Sequence, residues 1–168
     1  MSDDEDYGID KVRGHPRAIE LIPDEFFWDC SDELGPFGSD EGDTALEEFR
    51  EWRRNNPRAP VEDCIIWTLE SVGEIDASDY SDAIADEATI KAQLADEDFD
   101  DQQYIYTVDA SVIATGFGQL ADEGTIDESA KPYIRRALMR QAVWGRLVKL
   151  DGVYIRNLQR LDRALNEA

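Results

Sequence analysis

The sequence predicts an all-α protein, a single irregular bundle of about five to seven helices. Three observations predict this fold class. Apolar residues recur at helical spacing through most of the chain. Alternation with a period of two, which is typical of a half-buried strand, is hinted at only in "GVYI" at residues 152–155. Proline, glycine and capping residues separate the periodic segments, as expected at helix ends.

The N-terminal region predicts two short helical turns after a loosely held segment. Residues 1–14 are polar and strongly acidic, so we expect a flexible N-terminus followed by one helical domain over residues 15–168. His15 and the proline after it start the first turn. Pro23 ends that turn, because a proline disfavours helical backbone in the residue before it. It then stands at the first position of a second turn, which carries the apolar block "FFW".

The next two helices are bounded by clear start and stop signals. One is predicted from Asp43, whose side chain would cap free N–H groups, to the "NNP" at residues 55–57. The other is predicted in "APVEDCIIWTLESVG", with Pro60 in its first turn and Gly73 as its C-terminal cap. The buried stripe of this second helix is expected to comprise Val61, Cys64, Ile65, Leu69 and Val72.

A weak segment and then a strong one follow. "SDYSDAIADEATIKAQLAD" predicts one or two weaker helices. Residues 101–124 predict a long helix that is apolar on more than one face, so it should be central. Gly116 and Gly118 lie inside it, and each costs up to about 1 kcal/mol relative to alanine. They therefore indicate a close helix crossing or a kink. Gly124 ends the helix.

Two helices are predicted in the remainder. Thr125 and Glu128 have the spacing of a capping box for the first of them. Pro132 should either kink this helix or mark its true start. The "DG" at residues 151–152 predicts a turn before the last helix.

Composition bounds the class of protein. The 168 residues suffice for one domain, and 42% hydrophobic residues are too many for a disordered chain. No run of about 18 apolar residues is present, so no membrane span is expected. The acidic N-terminus does not resemble a signal peptide, which favours a cytoplasmic location. Cys30 and Cys64 belong to no CxxC motif, and we expect each to be a small buried side chain.

Charge is the strongest signal in the sequence. Thirty-nine acidic residues face 17 basic ones, giving a net charge of −22. Residues 131–168 hold nine basic and three acidic residues, a net charge of +6, whereas residues 1–130 carry −28. We expect the basic segment to pack against, or neutralise, part of the acidic remainder. The arginines at 135, 136 and 140 would favour nucleic acid in isolation, but the overall charge favours an intramolecular or homodimer contact.

The stretch "GPFGSDEGDTALEEF" at residues 35–49 most resembles a site. Asp40, Glu41 and Asp43 offer the hard oxygen ligands that Ca²⁺ or Mg²⁺ prefers. The spacing lacks the register of an EF-hand, and every feature also serves to start a helix. The helix start is the favoured interpretation, with Phe37 in the core.

No other chemical constellation is present. His15 is the only histidine, so imidazole-rich metal sites would need an oligomer, and a turn residue is the favoured interpretation. No P-loop, Rossmann fingerprint or nucleophile elbow appears. No cofactor is expected, and a non-enzymatic protein is favoured over an enzyme.

The segment from "HPRAIELIPDEFFWDC" to "GPFGSDEGDTAL" resembles the N-terminal part of the YfeS-like family of bacterial proteins. The glycine-rich acidic start of a helix is more weakly similar to DUF4259-type proteins. Both groups are uncharacterised, so the resemblance implies no catalytic residues. YfeS-like proteins are described as containing a WGR domain. The tripeptide Trp144-Gly145-Arg146 lies instead in a helical pattern, with too little chain after it for a β-rich module.

Two functional hypotheses follow. The leading one is a regulatory or immunity-type interaction protein whose acidic surface binds a basic partner protein. The alternative is a small-ligand protein or divalent-metal-dependent enzyme with an acidic site near residues 28–43. The candidate binding residues of that alternative are Trp28, Asp29, Asp32, Phe37, Asp40 and Asp43.

Overall fold

The computed structural model describes residues 8–168, which form eight α-helices and no strand. The all-α prediction is therefore confirmed, with one helix more than the expected range. The "GVYI" segment belongs to the first turn of the last helix, so its hint of a strand was wrong. The helices are α1 (Pro16–Leu21), α2 (Glu25–Trp28), α3 (Asp40–Asn55), α4 (Val61–Ser71), α5 (Glu87–Ala95), α6 (Val108–Glu123), α7 (Lys131–Leu147) and α8 (Gly152–Glu167).

Helix α6 lies at the centre of the bundle, as its apolar faces predicted. It packs against α1, α3, α4 and α7, while α5 and α8 pack against α7. Gly116 lies against Ile134 of α7, and Gly118 lies against Leu46 of α3. Both glycines therefore mark close helix crossings. Gly124 ends α6 in the left-handed region with a φ of 78°, as predicted.

A π-helix over Gln102–Thr107 runs directly into α6. It supplies Ile105 to a second, smaller core with Ile90 of α5 and Trp144 of α7. The indole N–H of Trp144 donates to Asp101 Oδ2 at 2.9 Å. This small core holds the weak helix α5 on the bundle.

Three predicted helix starts were wrong. Helix α2 begins at Glu25 with Asp24 as its cap, so Pro23 precedes this helix and does not take its first position. Helix α3 begins at Asp40, and its cap is Ser39, whose hydroxyl accepts from the Gly42 N–H; Asp43 lies inside the first turn. Helix α7 begins at Lys131 without a side-chain cap, so the capping box of Thr125 and Glu128 does not form. Pro132 stands in its first turn and marks the true start, one of the two outcomes expected.

Helix α8 holds the N-terminal helices in place. Arg160 binds the carboxylate of Asp24 and donates to the Leu21 carbonyl. Arg17 of α1 donates to the Glu167 carbonyl at 3.1 Å, and Asn157 donates to the Leu34 carbonyl at 2.9 Å. These contacts join residues that are 123 to 150 positions apart in the sequence.

Residues 1–7, half of the N-terminal segment predicted to be flexible, lie outside the described residues. Within the described part of that segment, Ile9 is buried in the main core. The division at residue 14 stays a prediction. None of the helices in residues 8–168 combines the length and apolarity that crossing a membrane requires.

The basic C-terminal segment neutralises part of the acidic remainder of the chain, as predicted. Five of its cations pair with carboxylates, and every one of those carboxylates precedes residue 131. The pairs are Lys131–Glu128, Arg136–Asp82, Arg140–Asp109, Arg146–Glu87 and Arg160–Asp24. Only Arg140–Asp109 is fully buried. Much of the positive charge of this segment is therefore used in ion pairs within the fold.

Candidate binding site

In the first part of the predicted site, residues 28–37, the candidate side chains form local hydrogen bonds or lie in the core. Trp28 is buried, and its indole N–H donates to the Ile22 carbonyl at 2.8 Å. The Asp29 carboxylate accepts from the N–H and hydroxyl of Ser31, which lowers the pKa of Asp29. Asp32 accepts from the Leu34 N–H at 2.9 Å. Phe37 is fully buried, edge-on to Phe27, so its predicted place in the core is confirmed.

The second part of the predicted site is the start of α3. Asp40, Glu41 and Asp43 all lie in its first turn, where negative charge is favoured by the helix dipole. Asp40 and Asp43 are exposed. The interpretation of this stretch as a helix start is therefore confirmed, although α3 begins at Asp40 and not at Asp43. Among the described residues, no group of three or more His, Cys, Asp or Glu side chains is arranged to hold a metal ion.

The small-ligand or metal-dependent alternative stays a prediction, and calorimetry tests its simplest form. If Asp40 and Asp43 bind a divalent cation, titration with Ca²⁺, Mg²⁺ or Mn²⁺ should release or absorb heat. Asp40→Asn with Asp43→Asn should then abolish that heat, because both ligands lose their charge. A titration without heat for all three ions would contradict this form of the alternative.

The single histidine and the two cysteines have ordinary structural roles. His15 is the cap of α1, and its Nδ1 accepts from the Arg17 N–H at 3.1 Å; this agrees with the predicted turn residue. Cys64 is buried, and burial raises the pKa of its thiol to about 12. Cys30 is exposed, so the expectation that it is buried was wrong: it follows α2 in a surface turn.

A cleft of about 330 Å³ lies between α3 and α4. We call it the acidic–aromatic cleft, because two carboxylates and two indoles line it. The other two lining residues are asparagines at the end of α3. The lining residues are Glu48, Glu51, Trp52, Asn55, Asn56 and Trp67.

Helical spacing brings the α3 side chains of this cleft together. Glu48 and Glu51 are three residues apart, and Glu51 and Asn55 are four apart, so they share one face of α3. The Asn55 amide donates to the Glu51 carbonyl at 3.1 Å, and the Asn56 amide donates to the Trp52 carbonyl at 2.9 Å. The cleft thus lies at the C-terminal end of α3, where the helix dipole favours a cation.

The two carboxylates of the cleft have no cationic partner in the part of the chain that the structure describes. Within residues 8–168, neither Glu48 nor Glu51 forms an ion pair. Burial raises the pKa of the half-buried Glu48, and the charges of Glu47 and Glu51 raise it further. The nearby Arg53 is directed away, to Glu123 of α6 at 2.8 Å. The cleft therefore carries uncompensated negative charge.

The two tryptophans differ in exposure. Trp52 is half-buried; its ring is near parallel to that of Phe49, and the Arg53 guanidinium lies 5.2 Å from its centroid. Trp67 on α4 is 45% exposed. Trp67 therefore presents part of its indole to solvent at the edge of the cleft.

Sequence analysis missed this cleft, although a signal for it exists. The buried positions of α4 are Val61, Cys64, Ile65, Thr68 and Leu69. Trp67 lies off that stripe, so a tryptophan on the polar face of an amphipathic helix could have marked it as surface. Trp67 shares a cleft with Glu48 and Glu51 because of the way α3 and α4 pack. This packing could not be predicted from the sequence.

Comparison with known proteins finds a relative of the predicted kind. Uncharacterized protein YfeS of Escherichia coli (strain K12) is 28% identical to this chain over 149 residues. The chain resembles the YfeS-like proteins. The match covers 88% of this chain, well beyond the N-terminal third, and 58% of YfeS, so the chain spans little more than half the length of that relative. The weaker similarity to DUF4259-type proteins stays a prediction.

No protein-family model matches the chain. No solved structure is significantly similar to it. The YfeS-like resemblance raises the question of whether the Trp-Gly-Arg tripeptide marks a WGR domain. The tripeptide lies within α7. Trp144 and Gly145 are buried in helix packing, so the tripeptide here belongs to an α-helix and not to a β-rich module.

Proposed function

We propose that this protein is an interaction module, of a regulatory or immunity type, that binds a basic partner protein through the face formed by α3 and α4. The observation that carries the proposal is the acidic–aromatic cleft. Among residues 8–168, Glu48 and Glu51 of this cleft form no ion pair, and they lie beside the exposed Trp67. Exposed aromatic area flanked by charge is typical of protein interfaces.

The charge distribution supports a basic partner. The net charge is −22, and much of the positive charge of residues 131–168 is paired internally. Electrostatic complementarity accelerates association and selects partners. The same charge would repel nucleic acid and anionic membranes. The cytoplasmic location and a homodimer stay predictions.

Removing the two unpaired charges should weaken partner binding selectively. Glu48→Gln with Glu51→Gln keeps the side-chain shape and removes two charges, so we expect affinity to fall about tenfold. The matched control is Glu97→Gln with Asp98→Asn, which removes two exposed charges after α5 and should change affinity little.

The measurement is affinity capture from native lysate, followed by titration of the captured protein. A basic protein held by wild type and by the control, but lost at high salt and with the Glu48 and Glu51 variant, is the expected result. Binding that is independent of salt, or equally weakened by both variants, would contradict the proposal.

A further inference from the structure

We propose that the acidic–aromatic cleft binds an arginine side chain of the partner, with its guanidinium against the Trp67 ring and its N–H groups donating to Glu48 and Glu51. This deepens the proposed function and rests on it. A cleft of about 330 Å³ is at the small end of binding pockets. It accommodates one long side chain, not a helix.

The lining chemistry is complementary to a planar cation. A guanidinium is attracted by the face of an indole, and tryptophan is the most effective aromatic partner. Its N–H groups also bind carboxylates in pairs. Glu48 and Glu51 are placed one helical turn apart to accept them, and the C-terminal end of α3 adds negative potential.

Arginine fits this cleft better than lysine does. The guanidinium is flat and weakly hydrated, so it can stack on a ring and still donate at its edge, whereas an ammonium is a compact, strongly hydrated point charge. The fold already contains such an arrangement. Arg53 lies over Trp52 at 5.2 Å while its Nε and Nη2 donate to the Glu123 carboxylate at 2.8 and 3.3 Å.

The test compares two peptides of equal charge, hexa-arginine and hexalysine, by fluorescence anisotropy at low salt. Wild type should bind hexa-arginine about five- to tenfold more tightly than hexalysine. Trp67→Ala leaves the protein charge unchanged and should bring that ratio close to one. Trp67→Phe should keep part of the preference for hexa-arginine. The control, Glu97→Gln with Asp98→Asn, should keep the full preference. Thermal melting checks that each variant is folded.

The outcomes separate this inference from the proposed function. An arginine preference that Trp67→Ala leaves intact, or no preference at all, overturns the arginine site. If Glu48→Gln with Glu51→Gln still lowers the affinity for both peptides, the basic-partner proposal survives that result. If no charge variant changes the affinity for either peptide, the arginine site and the basic-partner proposal both fail. A concentration-dependent dimer that Trp67→Ala dissociates would mean that a second copy fills the cleft, and it would also overturn the inference.

Discussion

Replacing Asp109 with alanine is expected to lower the free energy of unfolding by about 3 to 5 kcal/mol. Asp109 lies on α6 and is 0% exposed. Its carboxylate accepts from two nitrogens of Arg140, at 2.7 and 2.9 Å, from the Gln141 amide at 3.0 Å and from the Tyr80 hydroxyl at 2.6 Å. Burial raises the pKa of Asp109, and these donors oppose that rise. Without the carboxylate, a buried guanidinium loses its only counter-charge among the described residues.

Chemical denaturation with urea measures this effect, and an exposed ion pair provides the control. Glu87 pairs with Arg146 at 3.5 Å and with Lys91 at 3.2 Å, and all three side chains are about half exposed. Glu87→Ala should therefore cost less than about 1 kcal/mol. Equal losses for the two variants would show that the buried network contributes no more than a surface pair.

The second large effect is expected at Gly38, in the turn before α3. A Cβ atom at this position would overlap the backbone of Asp32, at its carbonyl and at its N–H. Backbone atoms cannot rotate away as a side chain can, so the turn itself would have to shift. We expect Gly38→Ala to lower the free energy of unfolding by about 3 kcal/mol, the upper end of the usual range for overpacking.

Gly152, the first residue of α8, is the matched control for Gly38→Ala. The nearest atom to a Cβ there is a terminal nitrogen of Arg156 at 3.5 Å, an ordinary contact. Gly152→Ala should therefore be neutral or stabilise the protein by up to about 1 kcal/mol, because alanine restricts the unfolded chain. A thermal melting point for Gly38→Ala at or above that of Gly152→Ala would refute the steric argument.

Sequence periodicity was sufficient to predict the main architecture. Residues 101–124 were predicted as one central helix because they are apolar on several faces. Residues 108–123 form that central helix, α6, and residues 102–107 form the π-helix before it. Gly116 and Gly118 predicted close crossings because glycine inside a helix needs a compensating contact. Helix starts were harder, since Ser39, Asp40 and Asp43 are all good capping residues. Tertiary packing of the preceding turn decides among them.

The candidate site was less accessible to sequence reasoning. The conspicuous stretch at residues 35–49 owes its glycines and carboxylates to a tight turn and a helix start. The acidic–aromatic cleft has no local motif, because its members come from two helices. Glu48 and Trp67 become neighbours only when α3 and α4 both pack on α6. Charge patterning indicated a basic partner but could not indicate where it would bind.

The contacts of α8 with the N-terminal helices bear on how the chain folds during synthesis. Arg160 and Asn157 hold Asp24 and the Leu34 carbonyl across more than 120 residues of intervening chain. Contacts of such sequence separation form late, because the loop-closure entropy must be overcome first. A nascent chain that has not yet released α8 from the ribosome lacks these partners. We therefore expect α1 and α2 to reach their final packing only after α8 has left the ribosome.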